Sequence, residues 1–74
     1  MTPNQFGETV RNARRALGLR QDELAGAAGV GLRFIVDLEA GKPTAQLGKA
    51  LAVLDALGCD LRINTPAARP GARG

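Results

Sequence analysis

An all-α domain of four short helices is the fold class this sequence predicts, with one short β-strand after the last helix. Three observations carry it. Apolar residues recur at spacings of three and four through most of residues 5–57, the period of a helix with one buried face. Gly18, Gly29, Gly41 and Gly58 interrupt that pattern at the points where helices would stop. Only residues 59–64, Cys-Asp-Leu-Arg-Ile-Asn, change to strict alternation of apolar and polar, which is a strand pattern.

The first helical segment is residues 5–17, with Phe6, Val10, Ala13 and Leu17 on one face. Residues 1–4 precede it as a loose end. The second segment, residues 21–28, opens with Asp22 and Glu23 where the helix dipole favours acids. It carries Leu24, Ala25 and Ala28 on one face, and the small Ala25 lets another helix cross closely. Gly29, Val30 and Gly31 form a tight turn, in which Gly29 can adopt φ > 0. The third segment is residues 32–40, with Ile35 and Leu38 facing inward and Gly41 as its stop. The second and third segments together have the pattern of a helix-turn-helix. The fourth is residues 45–57, with Thr44 as N-cap and Leu47, Ala50, Leu51, Leu54 and Leu57 on one face. Phe34 is expected to pack against it.

Bulk properties bound the function. A chain of 74 residues holds one small domain, and a domain near this size buries only about 60% of its unfolded surface. One cysteine, Cys59, and no histidine exclude a disulfide framework and a zinc cluster, so no metal or cofactor is expected. The same inventory offers no credible general base, so an enzyme is not expected. Phe6 and Phe34 are the only aromatics, too few for a stacking platform on single-stranded nucleic acid. No apolar run approaches a membrane span and no signal peptide is present, so a soluble cytoplasmic protein is expected.

The net charge of +3 is unevenly spread. Residues 1–20 hold Arg11, Arg14, Arg15 and Arg20 against Glu8. Residues 21–64 hold four basic and six acidic side chains, and the tail adds Arg69 and Arg73. Such a distribution suits either a solvated arginine face or attraction to DNA phosphates. The tail, residues 65–74, contains only Thr, Pro, Ala, Arg and Gly and is expected to be disordered, leaving residues 1–64 as the domain.

A lone strand leaves its backbone N–H and C=O groups unpaired. A second copy of residues 59–64 would satisfy them. The pattern thus predicts a two-fold homodimer joined through Cys59, Leu61, Arg62 and Ile63; the alternative is a frayed extension lying on the fourth helix.

These residues also carry a resemblance. Arg11 and Arg14, then Gly18-Leu19-Arg20-Gln21-Asp22-Glu23-Leu24-Ala25, then Ala28-Gly29-Val30, then Ile35 through Thr44, resemble the phage-repressor-like (Cro, XRE) helix-turn-helix family, whose domain is lambda-repressor-like. The continuation through Gly58, G-K-P-T-A-x-L-G-K-x-L-x-V-L-D-A-L-G with a strand after it, looks like the HipB-like antitoxins of type II toxin–antitoxin modules. The resemblance covers roughly residues 6–63. It implies a homodimer that binds a palindromic operator in double-stranded DNA, represses its own operon, and inhibits a HipA-like kinase toxin.

It also implies roles for residues. Gln21, at the start of the second helix, and Arg20 before it would contact phosphate. Leu32, Arg33, Val36 and Asp37 would face the major groove, with Arg33 reading guanine or contacting phosphate, and Leu32 and Val36 meeting thymine methyls. Gly31 and Val36 stand where many relatives have Ser, so Gly31 gives only its backbone as N-cap and no hydroxyl is available at position 36. Asp37 can accept from cytosine but repels phosphates. Lys42 would contact phosphate, and Arg14 with Glu39 would form an ion pair that sets the angle of the recognition helix. Two other readings fit the same residues: a stand-alone transcription regulator of this fold, and a protein-interaction module that has lost DNA binding.

Overall fold

The computed structural model describes residues 1–43 and 46–64. The expectations for Thr44, Ala45 and the tail 65–74 lie outside these residues. Four helices follow in order, α1 (Pro3–Ala16), α2 (Gln21–Ala28), α3 (Leu32–Glu39) and α4 (Leu47–Ala56).

The start of α1 departs from the sequence expectation. Residues 1–4 are not a loose end, because Thr2 and Gln5 form a reciprocal cap. The Thr2 hydroxyl accepts from the Gln5 N–H at 3.1 Å, and the Gln5 side chain accepts from the Thr2 N–H at 2.9 Å. Pro3 occupies the first helical position, where its missing N–H costs nothing. The helix therefore begins two residues early.

All four helices end alike. A glycine with positive φ closes each one, Gly29 as the cap residue of α2 and Gly18, Gly41 and Gly58 just past the caps of α1, α3 and α4, and it folds the next N–H back onto the last turn. At α3, Gly41 has φ 81°, its N–H donates to the Leu38 carbonyl, and the Lys42 N–H donates to the Asp37 carbonyl at 3.1 Å. This double bond pattern satisfies two carbonyls that a helix end would otherwise leave open.

Val10, Leu24, Ile35 and Val53, one from each helix, are fully buried and form the centre of the core. Ala25, Leu38, Leu54 and Leu57 surround them, and Phe34 and Cys59 pack against the margin. Removing a side chain of this kind from water is worth about 1.5–3 kcal/mol. α2 lies between α3 and α4, while α1 packs on α3. Gly7 explains that last contact. A methyl group there would press into the backbone carbonyls of Leu38 and Glu39, so only glycine lets α1 rest directly on the end of α3.

Two apolar faces differ from expectation. Leu17 is 56% exposed, because α1 has ended and the chain turns away. On α4 the buried set is Ala50, Val53 and Leu54, continued by Leu57. Leu47 and Leu51, expected on the same face, are 65% and 42% exposed. The run of leucines therefore spans two faces, one covered by α2 and one open. The strand expected at residues 59–64 is not formed in the isolated chain. A strand exists only through ladder bonds to a neighbour, and no segment among the described residues supplies them.

Candidate nucleic-acid interface

The turn between α2 and α3 sets the geometry. Gly29 ends α2 in the left-handed region with φ 71°, which a Cβ would make costly. Gly31 is extended and caps α3 with its carbonyl, which accepts from the Phe34 N–H at 3.1 Å. Buried Ala25 on α2 and buried Ile35 on α3 meet in the shared core. The second helix is thereby fixed against the first.

Its C-terminal end is fixed by charge. Glu39 is 4% exposed and gathers three partners, Arg14, Gln21 and Arg11. Arg14 of α1 donates from Nε and Nη2 to its two carboxylate oxygens, at 2.6 and 2.9 Å. Gln21 of α2 donates from its side-chain amide at 3.2 Å. Arg11 reaches the carboxylate at 3.7 Å and the Glu39 carbonyl at 3.4 Å. Arg14 is itself buried and spends its remaining prong on the Leu19 carbonyl at 2.8 Å. Burial pushes the Glu39 carboxyl up, but hydrogen bonds from Arg14 and Gln21, with the charges of Arg14 and Arg11, hold it below its ordinary value. The hydrogen bond to Glu39 outweighs burial at Arg14 and raises its pKa. A fork-on-carboxylate pair of this kind fixes orientation as well as distance. It ties α1, α2 and α3 together at one point.

The outward side of α3 carries different chemistry. Leu32 and Arg33 are exposed, and Val36 and Asp37 are half-buried. The Asp37 carboxylate receives Arg33 Nε at 3.3 Å and Lys42 Nζ at 3.4 Å. Arg20, just before α2, is exposed and lies 3.4 Å from Asp22 and 3.7 Å from Glu23. Glu23 also accepts the Arg20 backbone N–H at 2.8 Å, half of a capping box. The structure thus brings Arg33, Asp37 and Lys42 into one cluster. It places Gln21 inward on Glu39, with Arg20 at the rim.

The sequence pattern of the helix-turn-helix family matches residues 10–64. The chain belongs to the helix-turn-helix family. The chain is also similar to a protein of Sinorhizobium fredii (strain NBRC 101917 / NGR234) named as an uncharacterized HTH-type transcriptional regulator, y4mF. The two are 65% identical over 68 residues, which cover 92% of this chain and 90% of the relative. As a helix-turn-helix protein the chain has its turn at residues 29–31 and its second helix at α3, where the sequence placed them. None of the helices among the described residues is long and apolar enough to cross a membrane.

Three contributors escaped the sequence reading. Arg11 and Gln21 as partners of Glu39 lie on other helices, so no spacing along the chain reveals them. Lys42 on Asp37 depends on the reversal at Gly41. The Arg33–Asp37 pair went unread as well, although its i, i+4 spacing of opposite charges lies along the chain.

Proposed function

We propose that this protein is a sequence-specific, DNA-binding repressor of transcription that acts as a dimer on a palindromic operator. One observation carries the reading: α3 is locked from behind through Glu39 while Leu32, Arg33, Val36 and Asp37 remain on its outer side. A rigid helix with an outer side not packed into the core is what insertion into a major groove requires. Arg33 reads guanine with its fork, Leu32 and Val36 meet thymine methyls, and Arg20 and Lys42 contact phosphate. Gly31 brings its backbone close to the DNA. The Gln21 amide is engaged by Glu39, so its phosphate contact falls to the backbone N–H groups of the first turn of α2.

The dimer reading is supported by apolar side chains that one chain leaves in water. Leu47, Leu51, Leu61 and Ile63 are all exposed, at a cost that a second copy removes. Cys59, Leu61, Arg62 and Ile63 supply the strand that pairs with its symmetry mate. The two recognition helices then lie about 34 Å apart, one DNA turn.

The antitoxin role, with a HipA-like kinase as the inhibited partner and the operon as the regulated target, rests on the resemblance of residues 41–58. The stand-alone regulator is the second reading, and it is favoured by the name of the Sinorhizobium relative, which mentions transcription alone. One experiment separates them: co-expression with the neighbouring gene product, affinity purification, and anisotropy on the upstream duplex. A stable complex with a kinase-like protein supports the antitoxin. Salt-sensitive DNA binding with no such complex leaves the stand-alone regulator. No salt-sensitive DNA binding overturns both.

A further inference from the structure

Asp37 is the outward residue of α3 whose charge opposes DNA binding, yet the fold builds around it. Two independent features converge on its carboxylate. The helical i, i+4 spacing brings Arg33 Nε to 3.3 Å. The glycine reversal at Gly41 returns Lys42, whose backbone N–H bonds the Asp37 carbonyl and whose Nζ lies 3.4 Å from the same carboxylate oxygen. The Asp37 side chain is 33% exposed, against 77% for Arg33 and 59% for Lys42. The acid therefore lies beneath two cations that stand further into solvent.

Resting on the DNA-binding reading above, we propose that Asp37 is a specificity-determining positioning residue, a bridge that holds Arg33 for guanine and weakens the pull of any phosphate on Arg33 and Lys42. An unrestrained arginine on a helix face sweeps through many rotamers and satisfies itself on the nearest backbone phosphate, whatever the sequence. A carboxylate at Nε removes that freedom. It leaves the two-pronged Nη edge of the same plane for guanine O6 and N7. The bridge also lowers the net charge of the three side chains from +2 to +1. That loss weakens contact with every duplex, whereas the fixed fork gains only where guanine is present. Discrimination rises because the non-specific contact weakens and the specific one is kept.

The test is fluorescence anisotropy with two labelled duplexes of equal length. One is the region immediately upstream of the protein's own gene and the other is unrelated DNA, each titrated at several salt concentrations with wild type, Asp37→Asn and Asp37→Glu. Asp37→Asn is expected to bind unrelated DNA more tightly and to lose about tenfold in the ratio of affinities, within the range that one good bidentate base contact supplies. Its salt slope on unrelated DNA steepens by about 1.8, one further cation in each of two protomers being free for phosphate. Asp37→Glu, which keeps the charge at the same helical position, restores most of the ratio. On an Arg33→Ala background, Asp37→Asn leaves the ratio unchanged. An Asp37→Asn ratio equal to wild type overturns the bridge while DNA recognition stands. A wild type with no preference for its upstream duplex overturns the DNA-binding reading and the bridge with it.

Discussion

Glu39→Gln is the most informative single change, because it keeps the side chain's volume while removing its charge. In the native protein the carboxylate accepts two Arg14 bonds, at 2.6 and 2.9 Å, and one from Gln21. Glutamine keeps one acceptor oxygen and turns an NH2 group toward a donor. At least one charge-assisted bond, worth about 1.5–3 kcal/mol, is lost. The buried Arg14 guanidinium also loses its counter-charge, which places the total at about 3 kcal/mol, the lower end for breaking a buried pair. A chain of 74 residues has a stability of roughly 4–11 kcal/mol, so the loss is a large share. For a domain of this size it lowers Tm by at least about 12 °C. The protein lacks Trp and Tyr, so unfolding is followed by far-ultraviolet circular dichroism in urea at one fixed protein concentration. The cycle is completed with Arg14→Met and the double variant. Removing both charges leaves neither one stranded, so a coupling of about 2 kcal/mol is expected. A coupling below about 0.5 kcal/mol refutes the reasoning, since independent sites add within that margin.

Acid should destabilise the wild type through the same carboxylate. A depressed folded-state pKa contributes stability that is fully present above the unfolded value, near 4.5, and is lost as pH falls through the folded one. Thermal melts from pH 6 downward should show this loss, and Glu39→Gln should show less of it. Gly7→Ala gains helix propensity but places a methyl against the Leu38 and Glu39 carbonyls; a net loss of about 1–3 kcal/mol is expected in urea titrations, and equal or greater stability would refute the close approach. Leu51→Glu puts a charge on the open face of α4 without touching the buried one, so sedimentation velocity at micromolar concentration should show monomer where the wild type shows dimer. A wild-type monomer removes the basis of the dimer reading.

The helix-turn-helix was readable because its signals are local. Gly29 needed only its own φ, and Leu24, Ala25, Ile35 and Leu38 needed only helical spacing. Arg14 with Glu39 was placed by resemblance, since they are 25 positions apart and no pattern along the chain joins them. The cap at Thr2 was missed because residues 1–4 read as a loose end, although Thr2 three residues before Gln5, with Pro3 at the first helical position, is itself a local helix-start signal. The leucines of α4 were assigned to one face because leucine at every third or fourth position does not say where one covered surface ends and another begins. Val53, fully buried, was the residue that could have shown the true direction of that face.

The central claim is that the outer face of α3 reads duplex DNA. Anisotropy of the upstream duplex, titrated with wild type and Arg33→Ala from low to moderate salt, tests it most directly. With Arg20 and Lys42 on phosphate in each of two protomers, at about 0.9 per cation, log affinity should fall against log salt with a slope of roughly 3 to 4. Arg33→Ala should keep most of that slope and lose the preference for the upstream duplex over unrelated DNA. Binding that ignores salt, or an Arg33→Ala protein with the wild-type preference, would contradict the account.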